Sequence, residues 1–287
     1  MLRVFVAGHR GLVGSAVVRE LNKRANIEVI VRRKEELNLL DQDAVVDFFQ
    51  KEKPDHVVLS AAKVGGILAN STYPANFIYE NLMIQANVIN AAYTVGTEKT
   101  VVLGSSCIYP KMCPQPIKEE YLLTGSLEPT NEAYAIAKIA GLKMAEFYHK
   151  QYGMGIVSLM PTNLYGINDN FDLNSSHVLP ALIRKFYTAK KNNDKQVVCW
   201  GTGSPRREFL YVDDLAKAIV HVLSNYEGNE LLNVGTGEDV TIKEVSEMVA
   251  KTVGYEGDVV WDHTKPDGTP RKVLDISRIL ATRTLQR

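Results

Sequence analysis

The 287-residue chain holds only three cysteines, Cys107, Cys113 and Cys199. So small and odd a number excludes a disulfide framework and points to a reducing compartment. A surplus of charge is also missing, because 33 basic side chains balance 33 acidic ones. Binding to nucleic acid or a membrane surface as the main role needs a concentrated basic field, and none is present. No apolar run approaches the ~18 residues of a membrane span. Met1 leads almost directly into a strand pattern, so no secretory signal is expected and the cytoplasm is the expected location. Repeats and low-complexity segments are absent, and no metal site is expected. What is present is an ordinary α/β mixture, 45% hydrophobic and 23% charged, long enough for one large domain or two lobes.

The first half alternates short apolar runs with helical patterns. Strands are expected at Leu2–Ala7, Glu28–Val31, Asp55–Ser60, Lys99–Leu103 and Ile156–Met160. Helices are expected at Leu12–Arg24, at Asp41–Lys51 with Asp41 as N-cap, at Tyr73–Val95 and at Asn131–Tyr152. This order implies βαβ units, hence a doubly wound parallel sheet with helices on both faces. The rhythm changes after Asn163. Residues 168–176 read as a loop, Val178–Lys190 as a helix and Lys190–Lys195 as a charged turn. Val197–Trp200 reads as a strand, Val212–Leu223 as a helix, Leu231–Val234 as a short strand and Thr241–Val253 as a helix. The division expected is a first domain over 1–163 and a smaller α/β substrate-binding lobe over 164–287. About 211–236 is expected to fold back on the first domain.

Gly8, Gly11 and Gly14 form a Gly-x-x-Gly-x-x-Gly turn between the first strand and the first helix. Glycine permits the tight turn and lets a pyrophosphate approach the backbone, while the helix N-terminus offers free N–H groups and a positive dipole end. The end of the second strand selects the cofactor. An acidic residue there favours NAD, but the chain has Arg32, Arg33 and Lys34, with Arg10 in the glycine turn. Cations at that place suit the 2′-phosphate of NADP(H).

Tyr134 and Lys138 stand at i and i+4, so they share one face of the helix. Tyrosine titrates near ~10, and a neighbouring ammonium together with the positive nicotinamide of the oxidised cofactor is expected to lower that value. Ser105 follows the fourth strand, where open parallel sheets place their sites, and its hydroxyl can bond the same substrate oxygen. Two residues on is Cys107. A thiolate can act as a base if cations lower its pKa, and an imidazole can act as an acid near neutral pH.

The glycine turn with Ser105, Tyr134 and Lys138 resembles the extended short-chain dehydrogenase/reductase family, which acts largely on nucleotide sugars. Matching stretches are Gly8-His-Arg-Gly-Leu-Val-Gly14, Ala61-Ala-Lys-Val-Gly-Gly66, Gly104-Ser-Ser-Cys-Ile-Tyr-Pro110 and Glu128-Pro-Thr-Asn-Glu-Ala-Tyr-Ala-Ile-Ala-Lys138. Others are Met160-Pro-Thr-Asn-Leu-Tyr-Gly166, Asn174-Ser-Ser-His-Val178, Arg207-Glu-Phe-Leu210 and Lys265-Pro-Asp-Gly-Thr-Pro-Arg-Lys272. The cysteine and the last stretch are particular to one branch.

The resemblance implies a Rossmann-type fold. It also implies NADPH-dependent 3,5-epimerisation and 4-reduction of a GDP-linked 4-keto-6-deoxy sugar. By the same resemblance, Cys107 and His177 are base and acid for the epimerisations. Tyr134, with Ser105, stabilises the enolate oxygen and then protonates O4. Ala61, Asn163 and His177 join the cofactor contacts. Arg207 and Lys272 are the chief cations for the diphosphate, with Arg184, Lys185, Arg206 and Arg271 as further candidates. Trp200 lines the guanine pocket or packs in a core. Lysines stand at 34 and 185 where this branch leads one to expect arginine, and 281–287 departs from the usual ending.

Other members of the scaffold are weighed by single features. Dehydratases carry an Asp-Glu pair where Cys107-Ile108 stands, and a non-catalytic regulator would lack Tyr134 or Lys138. Apolar residues on more than one face of the two long helices point to a homodimer that pairs them across a two-fold axis.

Overall fold

The computed structural model describes residues 1–173, 175–265 and 267–284. Asn174 and Pro266, each inside a stretch used above, and residues 285–287 of the unusual ending lie outside the described residues.

In chain order the elements begin β1 (Leu2–Ala7), α1 (Leu12–Leu21), β2 (Ile27–Ile30), α2 (Gln42–Glu52), β3 (His56–Leu59), α3 (Ile67–Thr72) and α4 (Pro74–Thr94). They continue with β4 (Lys99–Leu103), α5 (Glu132–Tyr152), β5 (Ile156–Pro161), β6 (Asn163–Tyr165), α6 (Val178–Asn192), β7 (Gln196–Trp200), β8 (Arg206–Arg207) and β9 (Phe209–Tyr211). The last are α7 (Val212–Asn225), β10 (Leu232–Val234), β11 (Val240–Thr241), α8 (Ile242–Val253), β12 (Asp258–Asp262), β13 (Arg271–Lys272) and α9 (Ser277–Thr284).

The main sheet runs β10-β5-β4-β3-β1-β2, and every pairing in it is parallel. The pleat sends alternate side chains to opposite faces. Val4 and Val6 of β1 therefore join Val17 of α1 and Ile219 of α7 in one core. Phe5 and Ala7 join Phe49 of α2 and Val88 of α4 in the other. Burial on both faces explains why these strands read as continuous apolar runs. The strand order reverses between β1 and β3, which puts the ligand crevice of such a sheet beyond the end of β1.

Residues after Asn163 divide their allegiance. β10 extends the main sheet beside β5, and α7 packs on α1. In contrast, α6, β7, α8 and β12 enclose a separate small core around Phe186, Val245 and Tyr255, with Cys199 buried inside it.

Several boundaries differ from expectation. α1 stops at Leu21, where Asn22 caps it. α6 runs to Asn192, so half of the expected charged turn is helical; Lys190 and Lys191 in the last turn suit the negative end of the helix dipole. Asp41 caps α2 as expected, its Oδ1 accepting the Ala44 N–H at 3.1 Å. β6, β8, β9, β11 and β13 are not expected, being two or three residues long and too short to show a period, and α3, β12 and α9 are longer elements that the pattern reading does not include.

On the two long helices Phe77, Val88, Ile89, Ile139 and Leu142 are buried within the chain, whereas Tyr79, Tyr93, Ile136, Phe147 and Tyr152 are exposed. Among the described residues no helix is long and apolar enough to cross a membrane.

Candidate active site

A cavity of about 780 Å³ opens beyond the C-terminal ends of β1, β3, β4 and β5. Every residue expected to hold a cofactor or to do chemistry lines it. At one end is the glycine turn. Gly8 has φ +88°, which L side chains rarely adopt, and a Cβ there would meet the Ala61 nitrogen at 2.8 Å. A Cβ on Gly14 would lie 2.2 Å from the Gly8 carbonyl oxygen, so only glycine lets α1 approach β1 this closely. Gly11 caps α1 with no side-chain bond, which leaves the first helical N–H groups facing the cavity. A backbone cradle with a bare helix N-terminus fits a dinucleotide pyrophosphate.

The expected 2′-phosphate cluster is only partly free. The Arg32 guanidinium donates to Glu52 Oε1 at 2.6 Å and to its neighbour's carbonyl, and it lies 5.4 Å from the Phe48 ring centroid. Arg10, Arg33 and Lys34 remain exposed at the cavity edge. They are the cations open to a phosphate.

Ser105 ends β4, and its Oγ accepts the Cys107 N–H at 3.3 Å at the start of a single 3-10 turn, Ser106–Ile108. The Ser105 hydroxyl bonds both the Tyr134 hydroxyl and the Cys107 thiol. Among the protein's own groups, burial, with the Cys107 charge adding, holds the Tyr134 hydroxyl well above the ordinary value, and the Ser105 bond opposes that rise. The Lys138 ammonium donates to the Leu103 carbonyl at 2.8 Å and lies 5.9 Å from the Tyr134 ring centroid. Burial takes the Lys138 ammonium itself down to about 8.

Cys107 is tuned the other way. Burial alone would raise its thiol, but Lys272, the Ser105 bond and Arg207 outweigh it and hold the value below the ordinary one. Lys272, expected at the diphosphate, has its Nζ 3.5 Å from Cys107 Sγ. The two residues are 165 positions apart, and no local pattern joins them. His177 lies at the N-terminus of α6 with its side chain free of any capping bond. Its ring is solvent-accessible at the cavity mouth yet crowded by protein. That crowding, with Lys272 adding and Asp169 opposing, lowers its pKa.

Asn163 donates to the Glu208 carbonyl at 2.8 Å. Glu208 is fully buried, and its carboxylate accepts the N–H groups of Thr236 at 2.5 Å, Gly237 at 2.7 Å and Leu274 at 3.0 Å. It ties β8 to the loop after β10 and to the segment after β13. The Arg207-Glu-Phe-Leu210 stretch signalled this residue, but its role needs partners from distant segments.

None of the four residues expected at the nucleotide-sugar end, Lys185, Trp200, Arg207 and Lys272, lines the cavity. Trp200 is 63% exposed, so core packing does not explain it. The ammonium groups of Lys185 and Lys265 lie over its ring, at 5.6 and 5.5 Å. Lys185 also donates to the Val198 carbonyl at 3.1 Å. Of the other cations, Arg184 donates to the Phe171 carbonyl.

The family model for the NAD dependent epimerase/dehydratase family matches residues 4–235. The chain is 60% identical over 277 residues to a putative GDP-L-fucose synthase 2 of Arabidopsis thaliana, covering 96% of this chain and 84% of that protein. It is 56% identical over 286 residues to the GDP-L-fucose synthase of Escherichia coli strain K12, covering 96% and 89%. Among solved structures, the GDP-mannoheptose C4 reductase of Campylobacter jejuni with NADP bound superposes with a TM-score of 0.90 at 39% identity, covering 98% of this chain and 92% of that one.

Proposed function

The chain belongs to the NAD dependent epimerase/dehydratase family, and we propose that it converts GDP-4-keto-6-deoxy-D-mannose to GDP-L-fucose by 3,5-epimerisation followed by NADPH-dependent reduction at C4. The observation that carries this reading is two oppositely tuned acids side by side: a Tyr134 hydroxyl held protonated by burial, and a Cys107 thiol pulled toward the thiolate by Lys272. A reductase alone needs the first; an epimerase-reductase needs both. The naming of its relatives as GDP-L-fucose synthases supports the choice of sugar.

In a 4-keto sugar the hydrogens at C3 and C5 are acidic. Cys107 removes each proton, and His177 returns one to the opposite face. The lowered pKa of His177 makes its protonated ring a stronger donor than an ordinary imidazolium. The Ser105 and Tyr134 hydroxyls donate to the enolate oxygen at C4 and offset its charge. NADPH, when bound, supplies the hydride for C4. Tyr134 gives its proton to O4. Gly8, Gly11 and Gly14 hold the pyrophosphate, with Ala61 and Asn163 further along the groove. Arg10 and Lys34 meet the 2′-phosphate. Arg207 and Lys272 face the sugar end and its diphosphate, and Trp200 with Lys185 forms the outer surface for the base.

The exposed stripe of Ile136, Ala140 and Phe147 on α5, beside Tyr79 on α4, supports a homodimer through these helices. Light scattering at the mass of one chain would refute it. The two lobes meet near residue 163, with α7 and β10 belonging to the first. Three free thiols support a cytoplasmic location, which cell fractionation tests.

The deciding experiment is incubation with GDP-4-keto-6-deoxymannose and NADPH, with the product identified by NMR. GDP-L-fucose is expected. Equal NADPH consumption with UDP- or dTDP-linked 4-keto sugars would overturn the assignment.

A further inference from the structure

We propose that Asp239 is a positioning residue for the sugar end of the site: its carboxylate locks the pairing of β8 with β13 that presents Arg207 and Lys272 to Cys107. The consequence for the reaction rests on Cys107 being the base, but the geometry does not.

β8 and β13 are two residues each and pair in parallel, Arg206 opposite Arg271 and Arg207 opposite Lys272. Each rung therefore sets two cations side by side, an arrangement that pushes the strands apart. At the ends of this short ladder, Arg206 N–H donates to the Pro270 carbonyl at 2.8 Å and Glu208 N–H to the Lys272 carbonyl at 3.3 Å.

The first rung is bridged. Asp239 Oδ1 accepts from Arg206 Nε at 2.8 Å and Oδ2 from Arg271 Nε at 2.5 Å. The Asp239 backbone carbonyl takes a further bond from Arg206 at 2.8 Å. The Asp239 side chain is only 5% exposed, while the two arginines are 40% and 49% exposed. One shielded carboxylate thus spans both strands. Asp239 is itself anchored, because the next residue, Val240, pairs with Arg207 in β11.

The second rung points to the other face, as strand alternation requires. Lys272 Nζ lies 3.5 Å from Cys107 Sγ, and the Arg207 charge also acts on the thiol. Among the described residues neither Arg207 nor Lys272 has a carboxylate within 4.0 Å. Asp267 acts on Arg207 only at longer range. This unbridged pair keeps its place because the bridged pair beside it does. The other groups facing Cys107 are the Ser105 and Tyr134 hydroxyls. The field of Lys272 also reaches Cys113 and His177.

The sign of the effect separates positioning from plain electrostatics. Removing the negative charge of Asp239 would by itself favour the thiolate. Loosening Lys272 and Arg207 would disfavour it. The test uses the full chain with Cys113→Ser and Cys199→Ala, which leaves Cys107 as the one thiol. The rate of iodoacetamide alkylation is followed against pH. Asp239→Asn is expected to move the midpoint up by about one unit, so that alkylation below it slows roughly tenfold. Asp239→Glu is expected to restore most of that shift. A midpoint that is unmoved or moves down overturns the proposal, even if the variant melts earlier. If Asp239→Asn does not fold, Asp239→Asn with Arg271→Gln, which removes the like-charge contact as well, is expected to fold and to keep the unmutated midpoint, and a midpoint raised by about one unit there overturns the proposal. Alkylation reads the thiol without turnover, so it is independent of whether Cys107→Ser abolishes proton exchange in the sugar.

Discussion

The two ends of the cavity are built from different materials. The cofactor end is one continuous piece of chain, β1, the glycine turn and α1. Backbone holds it: Gly11 N–H bonds the Gly8 carbonyl at 3.0 Å, and Val4, Val6, Ala16 and Val17 behind it are wholly buried. The sugar end sets Cys107 and His177 on the cavity wall, with Lys272 and Arg207 acting on Cys107 from outside the lining, and so draws on four separate segments. Two-residue strands and ion pairs hold it. A backbone cradle is rigid and intolerant of any added atom, because its contacts are already at van der Waals distance. A side-chain assembly tolerates shape changes better, but its properties follow charge, and with it pH and salt.

The largest expected effect separates the two chemistries at the sugar end. Tyr134→Phe removes the proton donor for O4 and is expected to slow NADPH oxidation by about 10²–10⁴-fold. Deuterium uptake at C3 and C5 in D₂O should fall far less, because Ser105 still donates to the enolate oxygen. Cys107→Ser should do the reverse, slowing deuterium uptake by about 10² or more. In the unmutated protein that uptake should reach its plateau below the ordinary thiol value, because the cations hold the folded Cys107 pKa down. Wild-type uptake by the Cys107 variant would remove that residue from the base role.

A smaller effect tests the cradle. Gly14→Ala places a Cβ 2.2 Å from the Gly8 oxygen and should cost about 1–3 kcal/mol of stability, seen as a lower melting temperature and weaker NADPH binding. Gly11→Ala meets the same oxygen at an ordinary 3.5 Å and should change melting far less. Similar losses in both variants would mean that close approach is not what Gly14 provides.

The smallest effect lies where the cofactor end uses charge instead of backbone. Arg10→Ala with Lys34→Ala removes two exposed cations worth about 1 kcal/mol each or less. NADPH binding should weaken by up to roughly thirtyfold, with NADH binding nearly unchanged. Equal losses for both cofactors would place the 2′-phosphate elsewhere. Arg32 is left out of this variant, because its guanidinium serves Glu52 and Phe48.

What was legible in the sequence follows the same division. The main-sheet strands and most of the helices of the first half were readable, because burying a face imposes a period on the residues that form it. Tyr134 and Lys138 at i and i+4, and glycines between a strand and a helix, are equally local. Local pattern alone therefore specified the doubly wound core, the glycine turn and the placing of Tyr134 and Lys138 on one helix face. Tertiary structure decided the rest. It turned Lys138 toward Leu103, gave Arg32 to Glu52, left Trp200 exposed with two lysines over its ring and divided the apolar residues of α4 and α5 between core and surface. It brought Lys272 to Cys107 and set Asp239 between two arginines. Strands two residues long have no period to read. Which cation meets which anion depends on where distant segments come to rest, and that is set only when the whole chain has packed.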